Sequence, residues 1–360
     1  MTRPPTSGAP EPAILSIGTA LPEGRFSQSE IYAMICSCAG SYLSPRVEQL
    51  FMHSDIDYRH LYLSRENFTG LESSGELNDR FRRGAVEIGG KAITACLTAA
   101  SLRATDIDLL VVATCTGYLC PGLCPILAKE LGFRNDIQRA DLVGMGCAGA
   151  MPALQRAVDF VAAHPEKKAL VLTVEICSAC YCFDDSLETM VGNAICADGA
   201  AAVVVGMAGE GHPAPRIAGF QTLSEPSLLD SVGLEQSGGK LRIILSKDIR
   251  GLAGGLAGEV VRSLLRAHAV NEERITRWII HSGGRRVIDA IQGELGLSDA
   301  QILHSRTVLA QHGNMSSPTV LFVLEEVLRD PLAGAPRPGE WGVMLALGPG
   351  LAAEAALLIW

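Results

Sequence analysis

Apolar residues fall into short runs that recur along the chain. "AILSIGTAL" occupies 13–21, "DLLVVATC" 108–115, "KALVLTVEIC" 168–177 and "GAAAVVVGMA" 199–208. The second half repeats the flavour with "PRIAGFQTL" at 215–223, "RWIIHSGG" at 277–284 and "EWGVMLALGPG" at 340–350. Branched or small apolar runs of this length predict sheet strands buried on both faces. Between them, apolar positions return every three or four residues. That period predicts helices over 85–102, 150–164, 254–270 and 319–330. Pro152 is tolerable because it falls in a first turn. Strands alternating with helices imply an α/β architecture. Glycine and proline cluster in "GEGHPAPR", 209–216, the expected boundary between halves spanning 13–210 and 211–360.

Composition narrows the classes. Of the 360 residues, 48% are hydrophobic and 19% charged, which places most of the chain in folded structure. Residues 1–12 are polar and proline-rich, with no apolar h-region, and are expected to be a disordered lead and not a secretory signal. A formal charge of −9 argues against a nucleic-acid binder and leaves an anionic ligand only a local basic patch. No apolar run approaches the roughly 18–20 residues of a membrane span. Eleven cysteines, an odd number without an export signal, point to reduced thiols in a cytoplasm.

One cysteine stands apart. In "DLVGMGCAGAMPAL", 141–154, Cys147 follows an apolar run and precedes a helical pattern. A strand-to-helix elbow would set its sulfur at a helix N-terminus, where backbone N–H groups favour thiolate. Gly146, Ala148 and Gly149 would leave room for a substrate carbonyl. A packed thiol in a tight turn explains the stretch equally well. His281 ends "RWIIH" before paired glycines, as a base or a hydrogen-bonded structural histidine. Asn314, in "AQHGNMSSPTVLFVLEE", is an oxyanion donor or a turn residue. The clusters Cys115/Cys120/Cys124 and Cys177/Cys180/Cys182 lack the partner pairs of a zinc site, so no metal is expected. Asp184 and Asp185 suit a solvated loop.

Taken in order, "GMGCAGA … WIIHSGG … HGNMSSPT … ALGPGL" resembles the chalcone/stilbene synthase family, the type III polyketide synthases. "TCTGYLCPG" (114–122) is similar to that family's Thr-Thr-Ser-Gly…Met-Pro-Gly stretch. "MVGNAICADGAAAVVVG" (190–206) is similar to its Leu-Val-Gly-Gln-Ala-Leu-Phe-Gly-Asp-Gly-Ala-Ala-Ala segment. The resemblance implies a thiolase-like fold: two related α/β halves in five αβαβα layers, as a homodimer. It implies a Cys147 that carries the growing chain as a thioester. His281 and Asn314 would hold the malonyl-CoA carbonyl during decarboxylation. A thiolate–imidazolium pair of Cys147 and His281 would be preformed. Coenzyme A thioesters are then the substrates, with no resident cofactor. Neither nucleic acid nor membrane is a partner.

The resemblance also assigns pocket positions. Arg59 matches a basic position at the tunnel mouth, where it would meet coenzyme A phosphates. Cys115 and Thr116 fall on the starter pocket, and Cys120 where a methionine crosses into the partner's site. One gatekeeper aromatic is sought in 177–192, with Tyr181 and Phe183 as candidates; the other falls near Ile243. Ser316 belongs to the same set, and Gly348 and Gly350 would shape the cavity floor. Ser282 departs from the His-Pro-Gly-Gly of plant members. Two alternatives remain open at this stage: a ketoacyl carrier-protein synthase III-like condensing enzyme, and an inactive acyl-CoA-binding homologue.

Overall fold

The run Leu109–Thr114 is buried at every position, and its alternate side chains serve two different helices. Leu110 and Val112 pack with Ile88, Ala92 and Ile93, whereas Val111 and Ala113 pack with Met151, Leu154 and Ala157. That period-2 division makes a continuous apolar run a central strand.

The computed structural model describes residues 10–39, 45–66, 68–182, 186–209, 212–245, 249–330 and 334–360. The strands are β1 (Glu11–Ala20), β2 (Arg25–Ser27), β3 (Tyr58–His60), β4 (Leu109–Thr114), β5 (Gln138–Val143), β6 (Ala169–Ile176), β7 (Asp198–Ala208), β8 (Arg216–Ser224), β9 (Val232–Ser237), β10 (Lys240–Leu245), β11 (Ile275–Ile280), β12 (Trp341–Gly348) and β13 (Ala352–Ile359). The helices are α1 (Gln28–Ala39), α2 (Pro45–Met52), α3 (Ser74–Ala99), α4 (Leu123–Glu130), α5 (Ala150–Ala163), α6 (Leu187–Ile195), α7 (Ile249–Ala267), α8 (Arg285–Leu295), α9 (Asp299–His312) and α10 (Thr319–Arg329).

Nine strands form one mixed sheet in the order β11-β12-β13-β8-β1-β7-β6-β4-β5. β4 runs parallel to β5 and β6, and β11 parallel to β12. The sheet is narrowest at its middle, where β1 and β8 share the single pairing Ala13–Arg216. One core joins α5 and α10 to both arms of the sheet. A second packs α3 on β4, β6 and β7, and a third packs α7 and α8 on β11, β12 and β13. Helix, sheet, paired helices, sheet, helix is the layering expected of the α/β reading.

The strands expected at 13–21, 108–115, 168–177, 199–208, 215–223, 277–284 and 340–350 all form, within a few residues at their ends. Two boundaries need correction. α3 starts at Ser74, well before residue 85, because a capping box at Ser73 and Glu76 satisfies its first N–H groups. The lead expected over 1–12 ends earlier, because Glu11 and Pro12 pair with Ala208 and Met207 of β7; residues 1–9 lie outside the described residues. No helix among the described residues is long and apolar enough to cross a membrane.

Candidate active site

Cys147 sits in a 3₁₀ turn, Gly146–Ala148, between the end of β5 and the start of α5. The elbow is bent by Gly144 (φ +82°) and Gly146 (φ +52°), conformations that suit glycine. A Cβ on Gly146 would come within 2.3 Å of the Pro349 ring. A Cβ on Gly348 would lie 2.7 Å from that of Ala148. The "GPG" loop after β12 therefore seats directly on the Cys147 turn. Gly348 is needed for close approach, whereas Gly350 is needed for its φ of +68°.

His281 continues β11 by one residue, its N–H donating to Leu345 O of β12 at 2.8 Å. Two serines lock this strand end to α9. Ser282 Oγ donates to Ser305 O (2.6 Å), and Ser305 Oγ donates to Ile280 O (2.8 Å). The imidazole is 3% exposed, and neither ring nitrogen has a partner among the described residues. A buried ring with both nitrogens uncommitted is poised to bond something the protein does not supply.

Asn314 lies between α9 and α10. Its backbone N–H donates to Ile195 O and its carbonyl accepts from Ala197 N–H, both at 2.8 Å. Its side-chain Nδ2 donates to Gly283 O at 3.2 Å, and its Oδ1 accepts from Ser316 N–H at 2.8 Å. Ser316 holds an unusual φ of +59° and lies 3.4 Å from Cys115 Sγ. The side chains of Ser316 and Asn314 both face the Cys147 sulfur and favour its thiolate form. Cys147, Asn314, Ser316 and Cys115 thus form one cluster, tied through Gly283 to the His281 turn.

Burial works against each charge taken singly. It pushes the Cys147 thiol up to about 12 and holds the His281 imidazolium down at about 4. Among the described residues no fixed cation lowers the Cys147 thiol, and the buried Glu175 carboxylate opposes its thiolate.

Two residues at the site escaped the sequence reading. Glu175 is fully buried in β6, among neutral donors. Its carboxylate accepts from Thr114 Oγ1, Cys115 N–H, Thr116 N–H, Thr116 Oγ1 and Ser317 Oγ at 2.6–3.1 Å. Burial raises its pKa against the pull of those donors. It ties the end of β4 to the turn that carries Asn314. A lone carboxylate inside the apolar run "ALVLTVEI" was the available signal. Cys196 is the second. It forms a bridge with Asn314, packs with Cys177, Cys180 and Ile243, and neighbours Cys147 electrostatically. It stands where the quoted segment Leu-Phe-Gly-Asp-Gly has phenylalanine.

Other expected positions divide. Cys115 joins the cluster. Thr116 does not present its hydroxyl to a pocket, because Glu175 and Ile176 N–H use it. Tyr181 is no gatekeeper: its ring meets Phe68 edge-on and its hydroxyl donates to Cys196 O. Phe183, Asp184 and Asp185 lie outside the described residues. Ile243 packs against Gly192 and the Cys177/Cys180/Cys196 group. Cys120 is exposed beside a cis bond to Pro121. Arg59 is not at a mouth at all. It is 0% exposed, with Nε and Nη1 committed to interior acceptors and Nη2 buried without a partner among the described residues, so it cannot meet a phosphate in solvent.

Comparison with known proteins agrees with this geometry. The family described as chalcone and stilbene synthases matches over residues 5–209 with its N-terminal domain and 232–359 with its C-terminal domain. The chain is 36% identical over 362 residues to the 3,5-dihydroxyphenylacetyl-CoA synthase of Streptomyces toyocaensis, covering 98% of this chain and 90% of that one. It is 35% identical over 353 residues to the 1,3,6,8-tetrahydroxynaphthalene synthase of Streptomyces peucetius subsp. caesius, covering 97% and 93%. Among solved structures, PKS-I of the brown alga Ectocarpus siliculosus superposes with a TM-score of 0.90 at 29% identity over 98% of both chains. The 1,3,6,8-tetrahydroxynaphthalene synthase of Streptomyces coelicolor A3(2), a type III polyketide synthase, gives 0.88 at 27% identity over 97% and 99%. The thiolase-like architecture, the ordered motifs and these matches agree: the chain belongs to the chalcone and stilbene synthase family, the type III polyketide synthases.

Proposed function

We propose that Cys147, His281 and Asn314 carry out an iterative decarboxylative condensation of malonyl-CoA onto an acyl-CoA starter. The observation that carries the reading is the position of Asn314, whose amide is fixed beside His281 by Gly283 while its side chain faces the Cys147 sulfur. The Cys147 thiol gives its proton to His281 as sulfur attacks the starter thioester, and coenzyme A leaves with that proton. The malonyl thioester oxygen then accepts from His281 and Asn314. Carbon dioxide departs, and its bonding pair becomes an enolate whose negative oxygen those donors stabilise. The enolate carbon attacks the acyl-Cys147 carbonyl, a carbon–carbon bond forms and the Cys147 thiolate is expelled. Transfer of the lengthened chain back to Cys147 permits another round, and cyclisation to an aromatic or pyrone product ends the sequence.

The nucleophile comes from the half ending near residue 210 and the two donors from the half beginning near 211. A homodimer is part of the same proposal. It is supported by the exposed edge strand β5 and by two exposed apolar side chains, Tyr118 (70%) and Val143 (50%). Mass spectrometry of reactions containing malonyl-CoA and a panel of acyl-CoA starters, without carrier protein, tests the chemistry. An acyl adduct on Cys147 and chain-extended products are expected; no product from any starter overturns it. Light scattering of the eluted protein tests the dimer.

A further inference from the structure

The arginine misassigned to the surface raises a sharper question. Arg59 is the largest fully buried side chain among the described residues, and no carboxylate accepts from it. A buried guanidinium needs compensation, because removing its hydration costs several kcal/mol in effective terms. Here a helix end compensates Nε and Nη1, whereas Nη2 is buried without a hydrogen-bond partner among the described residues. Nη1 donates to Asn193 O and Cys196 O, both at 2.7 Å, and lies 3.0 Å from the Tyr181 hydroxyl. Nε donates to Gln28 Oε1 at 2.8 Å, and Gln28 Nε2 donates onward to Ala194 O at 2.8 Å. Cys196 O belongs to the extended residue that follows α6, and Asn193 O and Ala194 O are acceptors that the last turn of α6 leaves unbonded. They carry the partial negative charge of a helix C-terminus. The Phe51 ring, 5.7 Å from the guanidinium carbon, covers its other side.

The arginine stem reaches the site from the opposite direction. A Cβ on Gly313 (φ +70°) would fall 2.8 Å from Arg59 Cγ, so the stem lies flat on the residue before Asn314. Immediately beyond, Asn314 N–H bonds Ile195 O and Ala197 N–H bonds Asn314 O, which zips Asn314 to the segment the guanidinium grips. One side chain therefore holds both strands of this short pairing, by hydrogen bonds to one and by packing on the other.

We propose that Arg59 is a positioning residue for the condensation: it clamps the C-terminal turn of α6 to Gly313–Asn314 and so sets where the Asn314 amide stands relative to Cys147. The proposal rests on the reading of Asn314 as an enolate-binding donor. Arg59 touches no substrate in it. A side chain of equal length without donors would fill the space but leave Asn193 O unbonded and the Asn314 segment free to shift. A misplacement of about 1 Å is enough to cost on the order of a hundredfold in rate.

The test measures carbon dioxide release from malonyl-CoA by purified full-length variants, with melting temperature recorded for each. Arg59→Met is expected to lower kcat by roughly 10- to 100-fold while KM for malonyl-CoA moves less than about threefold. Arg59→Lys should recover part of that loss. Added guanidinium ion at millimolar concentration should partly restore an Arg59→Ala variant. Tyr181→Phe removes one bond to Cys196 O, keeps the arginine, and should lower kcat by a few-fold with KM unchanged; it decides the matter if Arg59→Met does not fold. A rise in KM with kcat intact would mean a substrate contact and overturn the proposal. So would wild-type kcat in folded Arg59→Met and Tyr181→Phe. Asn314→Ala, run in parallel, separates the two levels. If it retains full activity, the role of Asn314 itself falls. If it is inactive while the Arg59 and Tyr181 variants are unimpaired, only the clamp falls.

Discussion

The side-chain amide of Asn314 donates to the backbone carbonyl of Gly283 at 3.2 Å. That bond orients the amide without help from substrate. Its Oδ1 is already committed to Ser316 N–H, so the group keeps its nitrogen toward the reacting oxygen. Asn314→Ala is expected to slow malonyl-CoA decarboxylation by roughly 10²- to 10³-fold, the usual loss for one oxyanion donor. Asn314→Asp should be at least as severe, because it sets a carboxylate oxygen against Gly283 O and against the developing enolate. Release of carbon dioxide from malonyl-CoA measures both; an Asp variant faster than Ala would contradict the geometry.

The Cys147–His281 pair yields a pH experiment. Without the imidazole, burial still pushes the thiol up, against the smaller pull of Ser316 and Asn314. In His281→Ala, thiolate therefore increases with pH throughout the neutral range, and alkylation of Cys147 by iodoacetamide should quicken about tenfold per pH unit with no plateau below about pH 9. The wild-type profile should be flatter and faster at neutral pH. Mass spectrometry of the Cys147 peptide reports the rate; identical profiles would show that His281 does not assist the sulfur.

Glu175 should be more than a packed residue. Its oxygens accept five hydrogen bonds from four residues, two of them from the backbone N–H groups of Cys115 and Thr116. Glu175→Leu strands those donors, each at a cost of about 1–3 kcal/mol, and releases Ser317 from β6. A destabilisation of several kcal/mol is expected in denaturant titration, with Glu175→Gln milder because one amide oxygen still accepts. Wild-type stability in the Leu variant would refute this account.

His312 supplies an acid-sensitive point. Its ring meets those of His60 and Phe322 in tilted contacts, faces Arg25 electrostatically, and burial holds it down at about 4. The unfolded chain titrates near 6.5. Above that value both states are neutral and the group is silent. As pH falls from about 6.5 toward 4, the unfolded state takes the proton first, and stability declines by at most about 3 kcal/mol. His312→Phe should lose less stability than the wild type over this window. Melting curves at matched ionic strength would show the gap; parallel curves would exclude His312.

How much of this was legible depended on how local the cause was. The strands around Leu110, Val171 and Val203 are apolar on both faces, so composition alone marks them. The Cys147 elbow was readable because its glycines stand next to it. β5 forms the sheet edge and four of its six residues are exposed, so it carries little periodic signal apart from the cysteine that follows. Arg59 was misread because a sequence shows a charge but not the three helix-end carbonyls that accept from it and from its neighbour Gln28. Tyr181 was misread for a related reason: which way a ring points is decided by Phe68 and Cys196, from other parts of the chain. Cys196 could have been found by matching its segment residue by residue, since it replaces an aromatic within an otherwise similar run.

The near-separation of the sheet at Ala13–Arg216 has a consequence for the order of manufacture. Cys147 leaves the ribosome roughly 170 residues before Asn314, which at about 5–20 residues per second is on the order of ten to thirty seconds. During that interval the first arm of the sheet can fold around its own helices, with the nucleophile's turn formed and the Pro349 loop not yet made to seat on it. The Cys147 sulfur therefore passes its infancy uncovered. It meets His281, Asn314 and the Pro349 loop, which the proposed reaction needs, only at the end of translation.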